Sequence, residues 1–310
     1  MSGAPTTALG IDIGGTKIAA GVVSFPRGDV LAERSVPSLP ERGSKAILNE
    51  IADLAEALSE EVSSSGHSVS GVGVGLCELV SPTGRILSHN CLPFDETELK
   101  THLATFAPVV VEADVRAAAR AEALFGAGRE YRIFLYVTVG TGIASCLMLD
   151  GSPYLGARGA TGTMASSPLS MVCEHCGELS QQTLEQVSSG PALVARYNRV
   201  KPGGARTGQD VLAAAAKGEV EALRVVHSGG EALESTIGLL VNVLDPEAVI
   251  IGGGLGLSQG SFWDSFVAST RRHIWSEVHR DLPFLRAATG VRAGFIGAAA
   301  SVWKKCTVKP

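Results

Sequence analysis

The chain has 310 residues, of which 45% are hydrophobic and 18% are charged, so it can form two modest domains or one large one around a sizeable core. A formal net charge of −5 without a long basic run excludes an evident nucleic-acid partner. Charged residues or proline interrupt every apolar run, and the sequence opens without a signal-peptide pattern, so we expect a cytoplasmic protein and no membrane partner.

The first patterned stretch is an apolar run at residues 8–13 that breaks at Gly14-Gly15 and resumes at 17–25. A Gly-Gly pair between two strand-like runs predicts a hairpin, because both turn positions tolerate positive φ. Asp12 lies inside the first strand, and Thr16-Lys17 supply a hydroxyl and a cation. Such a turn suits phosphate oxygens, and the acid suits a magnesium-bound water. From these residues alone, a phosphate turn and a plain hairpin with one capped Asp remain equally good interpretations.

The rest of the first half alternates strands and helices. Periodicity predicts strands at 30–36, 69–76 and 109–111, and helices at 43–65, 96–105 and 114–125. This alternation after an antiparallel start predicts an α/β fold. Asp114 follows a strand and opens an Ala-rich helix, so it is well placed to cap that helix or to present a carboxylate for catalysis, and the two roles can coexist.

The second half opens in the same way as the first. Strands are predicted at 133–139 and 143–149 around a Gly140–Gly142 turn, a small-residue loop at 156–170, helices at 179–198, 208–217, 219–244, 260–278 and 294–304, and a strand at 248–251. A glycine loop at 252–256 follows that last strand and offers backbone N–H groups to a nucleotide. The two similar hairpins predict two α/β halves that face each other across a cleft.

Four motifs in this order resemble the ROK family, which contains sugar kinases and repressors and belongs to the actin-like ATPase superfamily. They are GIDIGGTK at 10–17, the segment around Asp114, TVGTG at 138–142 and IIGGGLG at 250–256. The resemblance implies two actin-like ATPase (ribonuclease H-like) domains with an interdomain cleft, a homodimer, and ATP with Mg²⁺ as cofactors. We expect domains at 1–125, with the acceptor and the first phosphate motif, and at 126–310, for nucleotide and dimer contacts, with helix 294–304 packing back on the first.

The resemblance also implies a role for each matching residue. Asp114 is the base that takes the proton from the attacking hydroxyl, and Asp12 holds magnesium through water. The implied phosphate and nucleotide contacts are Asp12, Gly14, Gly15, Thr16 and Lys17, then Thr138, Gly140, Thr141 and Gly142, then Gly252, Gly253 and Gly254.

The acceptor side departs from the family pattern. Ala113 replaces an Asn that holds the sugar, and Thr163 and Ser166 replace a Glu and a His. Asp114 and Glu185 remain as matching acceptor contacts. Because a site built for particular hydroxyls discriminates strongly, these losses predict an unusual acceptor such as a C7-cyclitol, an amino sugar like kanosamine, or a deoxy sugar. Glu78 and Arg116 also depart from the pattern nearby, and we assign neither a role.

The family's structural zinc site is incomplete in this sequence. Cys173 and Cys176 form a C-x-x-C pair, while a third Cys and the His are missing, and a structural zinc needs four ligands. We therefore expect no bound zinc.

The sequence as a whole predicts an ATP- and magnesium-dependent kinase for a hydroxyl of an unusual sugar or cyclitol. One alternative is an ordinary glucokinase or N-acetylmannosamine kinase. Another is a non-catalytic sensor that binds a nucleotide or sugar, although such a protein has no need of the base Asp114. A repressor is disfavoured by the acidic balance and by a sequence that starts directly at the first hairpin.

Overall fold

A computed structural model of the chain describes residues 6–106, 108–172 and 176–307, and it divides into two compact units. The first unit comprises residues up to Glu130 together with Met148–Thr161 and the stretch from Val291 onward. The second comprises Tyr131–Leu147 and Gly162–Gly290. A single boundary at 125/126 does not describe this division, because two later stretches of chain pack into the first unit.

The described residues form α-helices and strands in mixed order. The strands are β1 (Thr6–Ile13), β2 (Lys17–Phe25), β3 (Asp29–Pro37), β4 (Val69–Leu76), β5 (Val109–Ala113), β6 (Ile133–Val139), β7 (Ile143–Leu149), β8 (Ser152–Pro153), β9 (Pro168–Val172), β10 (Leu179–Thr183), β11 (Ala248–Gly252) and β12 (Phe284–Arg286). The helices are α1 (Ser44–Ser63), α2 (Glu96–His102), α3 (Asp114–Phe125), α4 (Leu184–Ser188), α5 (Gly190–Val200), α6 (Gly208–Ala216), α7 (Val220–Glu231), α8 (Glu234–Leu244), α9 (Gly253–Gly256), α10 (Ser261–His273), α11 (Glu277–Arg280) and α12 (Ala293–Thr307).

The first unit is built on a five-stranded sheet in the order β3-β2-β1-β4-β5. β1, β2 and β3 are antiparallel neighbours, whereas β4 and β5 run parallel to β1. Helix α1 buries the apolar face that the sequence predicts, which consists of Ile47, Ile51, Leu54, Leu58 and Val62. The parallel strands end at one edge of the sheet, which brings the residues that follow β1, β4 and β5 together.

Helix α12 packs against β1, β4 and α3, and all four elements belong to the first unit. The approach is close enough to exclude a side chain from the sheet at Gly73. A Cβ added there would lie 1.8 Å from the carbonyl oxygen of Ala298. Backbone-to-backbone packing at this distance requires glycine.

The second unit is built on β12-β11-β6-β7, in which β6, β11 and β12 are parallel. Helices α5 to α8 and α10 supply most of the apolar side chains that pack with this sheet in one core. A separate two-stranded sheet pairs β9 with β10. None of the described helices is long and apolar enough to cross a membrane.

Four predicted elements of the second half are wrong in detail. The helix at 179–198 is instead β10, α4 and α5. A capping box at Thr183 starts α4, a side-chain cap at Ser189 starts α5, and Pro191 lies in the first turn of α5. The helix at 219–244 is interrupted between α7 and α8, and the helix at 260–278 ends at His273. The loop at 156–170 runs into β9, whose partner β10 is not visible from local periodicity.

Candidate active site

The first glycine turn joins β1 to β2 as the predicted hairpin. The Gly14 N–H donates to the Lys17 carbonyl at 2.9 Å, and the Thr16 and Lys17 side chains are exposed. The N–H groups of Gly15 and Thr16 donate hydrogen bonds to none of the residues that the structure describes. The turn therefore presents backbone donors, a hydroxyl and an ammonium group together, which is the donor set that phosphate oxygens require.

Asp12 and Asp114 flank Gly75 at the carboxyl edge of the sheet. Asp12 pairs with Gly75 across β1 and β4, and Asp114 directly follows β5. A Cβ on Gly75 would lie 3.5 Å from the Asp114 Cα and 3.7 Å from Asp12 Oδ1. The predicted cap is corrected, because Ala113 is the N-cap residue and Asp114 is the first residue of α3. Its Oδ1 accepts from the Val115 N–H at 2.6 Å.

The two carboxyls are held without enough positive charge nearby to compensate them. Burial raises the pKa of Asp12 to about 6, against the opposing charge of Lys17. Burial and the charge of Asp12 raise the pKa of Asp114 to about 7, against the Val115 N–H and the charge of Arg116. Helix α12 also begins against Asp12, since a Cβ on Gly294 would lie 2.1 Å from Asp12 Oδ2. A crowded, under-compensated pair of carboxyls fits a hydrated divalent cation such as Mg²⁺.

These raised pKa values predict a pH-dependent stability. Between about pH 4 and about pH 7 the folded protein binds more protons at Asp12 and Asp114 than the unfolded chain does, so their contribution to the free energy of unfolding falls as pH rises through this window. The double variant Asp12→Asn/Asp114→Asn should therefore gain Tm relative to the wild type as pH rises from 5 to 8. Thermal melts at matched pH measure the gap; a gap that does not change with pH contradicts the prediction, and Asp264→Asn, an exposed acid on α10, is the control.

Glu78 is buried and holds a loop rather than facing solvent. Its Oε2 accepts from the Ser88 hydroxyl at 2.5 Å and the Asn90 N–H at 3.0 Å, and its Oε1 accepts from the N–H groups of Cys91 and Leu92 at 2.6 and 3.0 Å. Burial alone raises its pKa, but these hydrogen bonds outweigh burial and hold the pKa below the usual value. Residues 89–92 of this loop line a cavity of about 300 Å³ with Pro40 and Pro93.

Replacing Glu78 with glutamine is expected to destabilise the protein by about 1–3 kcal/mol, because an amide NH₂ would face backbone donors and leave them unsatisfied. Urea unfolding measures the loss, and amide exchange at 88–92 should accelerate. Glu56→Gln, at an exposed position of α1, is the matched control and should be neutral. Equal stability of the Glu78 variant and the wild type would contradict this role.

Arg116 is buried and is committed to structural contacts within the first unit. Its guanidinium donates to the carbonyls of Val80 at 2.7 Å and Gly159 at 3.2 Å, and it pairs with Glu112 at 3.3 Å. Glu112 also pairs with Arg120 at 2.7 Å. Arg116 therefore ties α3 to residues 80 and 159, and it lowers the pKa of Asp114 through its charge.

The second glycine turn follows β6 in the second unit. The Gly140 N–H donates to the Gly142 carbonyl at 2.9 Å, and the Gly190 N–H donates to the Gly140 carbonyl at 2.8 Å. Within the described part of the chain, the N–H groups of Thr141 and Gly142 have no hydrogen-bond acceptor. The turn thus repeats the first one, with free backbone donors after a strand.

The third glycine stretch lies beside this turn. Thr138 pairs with Gly252 across β6 and β11, and α9 begins at Gly253. A Cβ on Gly140 would lie 3.4 Å from the Gly254 nitrogen, and Gln209 Nε2 donates to the Gly254 carbonyl at 3.2 Å. Backbone from two loops meets here without intervening side chains, so the residues present fit the phosphate groups of a nucleotide.

Glu185, Thr163 and Ser166 belong to one region of the second unit. The Glu185 N–H donates to the Ala165 carbonyl at 3.0 Å, between the exposed side chains of Thr163 and Ser166. The Glu185 carboxylate, however, points to the second glycine turn, where Oε2 accepts from the Ile143 N–H at 2.8 Å. Ala113, by contrast, is buried at the end of β5 in the first unit.

Only one cysteine of the predicted pair lies within the described residues. Cys173 lies outside the described residues, and the exposed thiol of Cys176 donates to Glu178 Oε2 at 3.9 Å. Among residues 6–106, 108–172 and 176–307, no group of three or more His, Cys, Asp or Glu side chains can hold a metal ion. The expected lack of zinc stays a prediction.

Sequence reasoning missed several residues that shape these regions. Gly294 makes room for Asp12, Gly190 and Gln209 hold the glycine loops, and Glu78 anchors a loop. Only Glu78 carries a local signal, since a buried acid directly after an apolar strand needs donors. The other contacts join segments that lie far apart in the sequence.

Comparison with known proteins agrees with this geometry. Residues 8–305 match the model of the ROK family. A glucokinase from Streptomyces coelicolor is 30% identical over 94% of this chain and 96% of its own length. An N-acetylgalactosamine kinase from Shewanella sp. is 28% identical over 94% of each chain. The structure of a ROK family glucokinase from Streptomyces griseus, in complex with glucose and AMPPNP, superposes with a TM-score of 0.81 at 28% identity over 95% of this chain and 98% of that one. These matches confirm the α/β, actin-like ATPase fold predicted from the four motifs, and the chain belongs to the ROK family.

Proposed function

We propose that this chain is an ATP-dependent phosphotransferase that phosphorylates a hydroxyl of an unusual sugar or sugar-like cyclitol. The observation that carries the proposal is the Asp12–Asp114 pair, held at raised pKa beside a turn with free backbone donors. The relatives named glucokinase and N-acetylgalactosamine kinase support the general activity. The bound AMPPNP of the Streptomyces griseus structure supports ATP as the donor.

Different residues of this chain bind the nucleotide and activate the acceptor hydroxyl. The free N–H groups of the turns at 14–17 and 140–142 bind phosphate oxygens, and the loop at 252–254 faces the adenosine. Asp114 accepts the proton of the attacking hydroxyl, which a pKa near 7 permits at neutral pH. Mg²⁺, held at Asp12 through water, supplies neutralising charge on the phosphates when it is bound.

The acceptor side supports an unusual substrate. Thr163 and Ser166 are exposed and neutral, and Ala113 has no polar side-chain atom, so three polar contacts typical of the family are absent from the sequence. Glu185 is retained beside them. Since hydrogen-bond partners dominate sugar discrimination, we propose a C7-cyclitol, an amino sugar or a deoxy sugar over glucose.

The test is ADP release with ATP and Mg²⁺ over glucose, N-acetylmannosamine, glucosamine, kanosamine and C7-cyclitols. Turnover highest on one of the last three acceptors supports the proposal. Highest turnover on glucose or N-acetylmannosamine identifies an ordinary sugar kinase and overturns the unusual acceptor. ATP binding without turnover on any acceptor identifies a sensor.

We also propose that the protein is a homodimer and that the second unit carries its contact surface. An apolar patch there consists of Leu239 and Val243, one turn apart on α8, with Trp275 and Val278, which are 86% and 85% exposed. Asn242 joins the two parts, because its side chain accepts from the Trp275 N–H at 2.9 Å. Large exposed apolar patches mark interaction sites, and a two-fold dimer needs only one self-complementary patch.

Placing a charge in this patch is expected to give monomers. Trp275→Asp/Val278→Asp should shift the mass measured by light scattering from two chains to one at micromolar concentration, because the buried charges would lack partners. Val220→Asp, at an exposed apolar position on α7 outside the patch, should remain dimeric. A wild type that is monomeric, or a variant that stays dimeric, contradicts this surface.

A further inference from the structure

Glu185 is held rigidly at the start of a short helix. Thr183 and Gln186 form a capping box around it, in which the Gln186 side chain accepts from the Thr183 N–H at 2.9 Å. The Glu185 N–H is fixed to the Ala165 carbonyl at 3.0 Å. The backbone of Glu185 is therefore set by contacts that do not involve its carboxylate.

The carboxylate acts on the second phosphate turn. Oε2 accepts from the N–H of Ile143, the residue that follows Gly142, at 2.8 Å. A Cβ on Gly142 would lie 3.0 Å from the same oxygen. At the other end of the turn, the Gly190 N–H donates to the Gly140 carbonyl at 2.8 Å. The segment from Glu185 to Gly190 thus holds both ends of the turn by hydrogen bonds.

A turn of three small residues needs such external hydrogen bonds to keep one conformation. Among the described residues, the turn of Gly140, Thr141 and Gly142 is closed by one internal hydrogen bond, from the Gly140 N–H to the Gly142 carbonyl. Two glycines leave the backbone wide conformational freedom, which phosphate binding would otherwise have to remove. An external acceptor at Ile143 restricts that freedom before the ligand arrives, which is preorganisation.

We propose that Glu185 is a positioning residue for the nucleotide as well as a contact for the acceptor. Oε2 orders the turn at 140–142, while Oε1, which accepts no hydrogen bond from the described residues, is left for an acceptor hydroxyl. One carboxylate then links the two substrates, so that the acceptor and the nucleotide each strengthen the binding of the other. This inference rests on the proposed kinase function.

The two roles of Glu185 separate in binding measurements without any acceptor. Glu185→Ala should weaken Mg²⁺–AMPPNP binding about tenfold in calorimetry, since the hydrogen bond that orders the turn is lost. Glu185→Gln should bind AMPPNP close to the wild-type level, because its side-chain carbonyl can still accept from Ile143. Glu221→Ala, an exposed acid in the first turn of α7, is the control.

Amide exchange gives a second readout that needs no ligand. The Ile143 N–H should exchange faster in Glu185→Ala than in the wild type and in Glu185→Gln. Unchanged AMPPNP affinity and unchanged exchange in Glu185→Ala would overturn the inference while leaving the kinase intact. A wild type that does not bind AMPPNP would instead overturn the proposed function. The exchange experiment would still test whether Glu185 orders the turn.

Discussion

Replacing Asp114 with asparagine is expected to lower kcat by about 10²–10⁴-fold, which is the usual contribution of a positioned general base. An amide cannot take the proton of the attacking hydroxyl. Its oxygen can still accept from the Val115 N–H, so the start of α3 is preserved. Steady-state ADP release on the best acceptor of the panel measures the loss.

Nucleotide binding should survive in the same variant. Mg²⁺–AMPPNP affinity is expected to stay near that of the wild type, because the donors that we propose for the phosphates are backbone groups of the glycine turns. Asp264→Asn on α10 is the matched control and should keep full turnover. Wild-type kcat in Asp114→Asn would place the base elsewhere, and a parallel loss of AMPPNP binding would assign Asp114 to the metal instead.

The second large effect is expected from alanine at Gly73. The new Cβ would meet the Ala298 carbonyl oxygen at 1.8 Å, and the interior strand β4 and the backbone of α12 would have to move apart to make room for it. Overpacking of this kind costs about 1–3 kcal/mol and at times more. Urea unfolding of the purified variant measures the loss of free energy of unfolding.

Gly75→Ala is the control for this substitution. It lies two residues further along β4 on the same face, where a Cβ would make only ordinary contacts, the nearest at 3.5 Å. We expect it to lose far less stability than Gly73→Ala. Equal losses at both positions would mean that strand propensity, and not the approach of α12, explains the effect.

The elements with strong local patterns were predictable. The hairpin of β1 and β2, the helix α1 and the strand β6 follow from apolar periodicity and a Gly-Gly turn, which are properties of neighbouring residues. The interpretation of 179–198 as one helix failed because Leu179–Thr183 is a strand only through pairing with β9. A propensity cannot report a partner that lies elsewhere in the chain.

The same distinction applies to the candidate site. The motifs located the glycine turns and Asp114, since their spacing is local. The contact of Glu185 with Ile143 spans 42 residues, and the hydrogen bonds of Glu78 reach a loop 10–14 residues away. Both acids could be noticed in the sequence, but the donors that define their surroundings appear only once the chain is folded.

The packing of α12 on β1 and β4 has a consequence for how this chain is made. The ribosome synthesises β1, β4 and the whole of residues 162–290 before α12. Until α12 is synthesised, β1 and β4 lack the helix that packs on one of their faces. The described residues of the second unit end at Gly290, so this unit needs no later segment and can complete its core earlier. We therefore expect the second unit to complete its core before the first unit does, although the strands of the first unit are synthesised first.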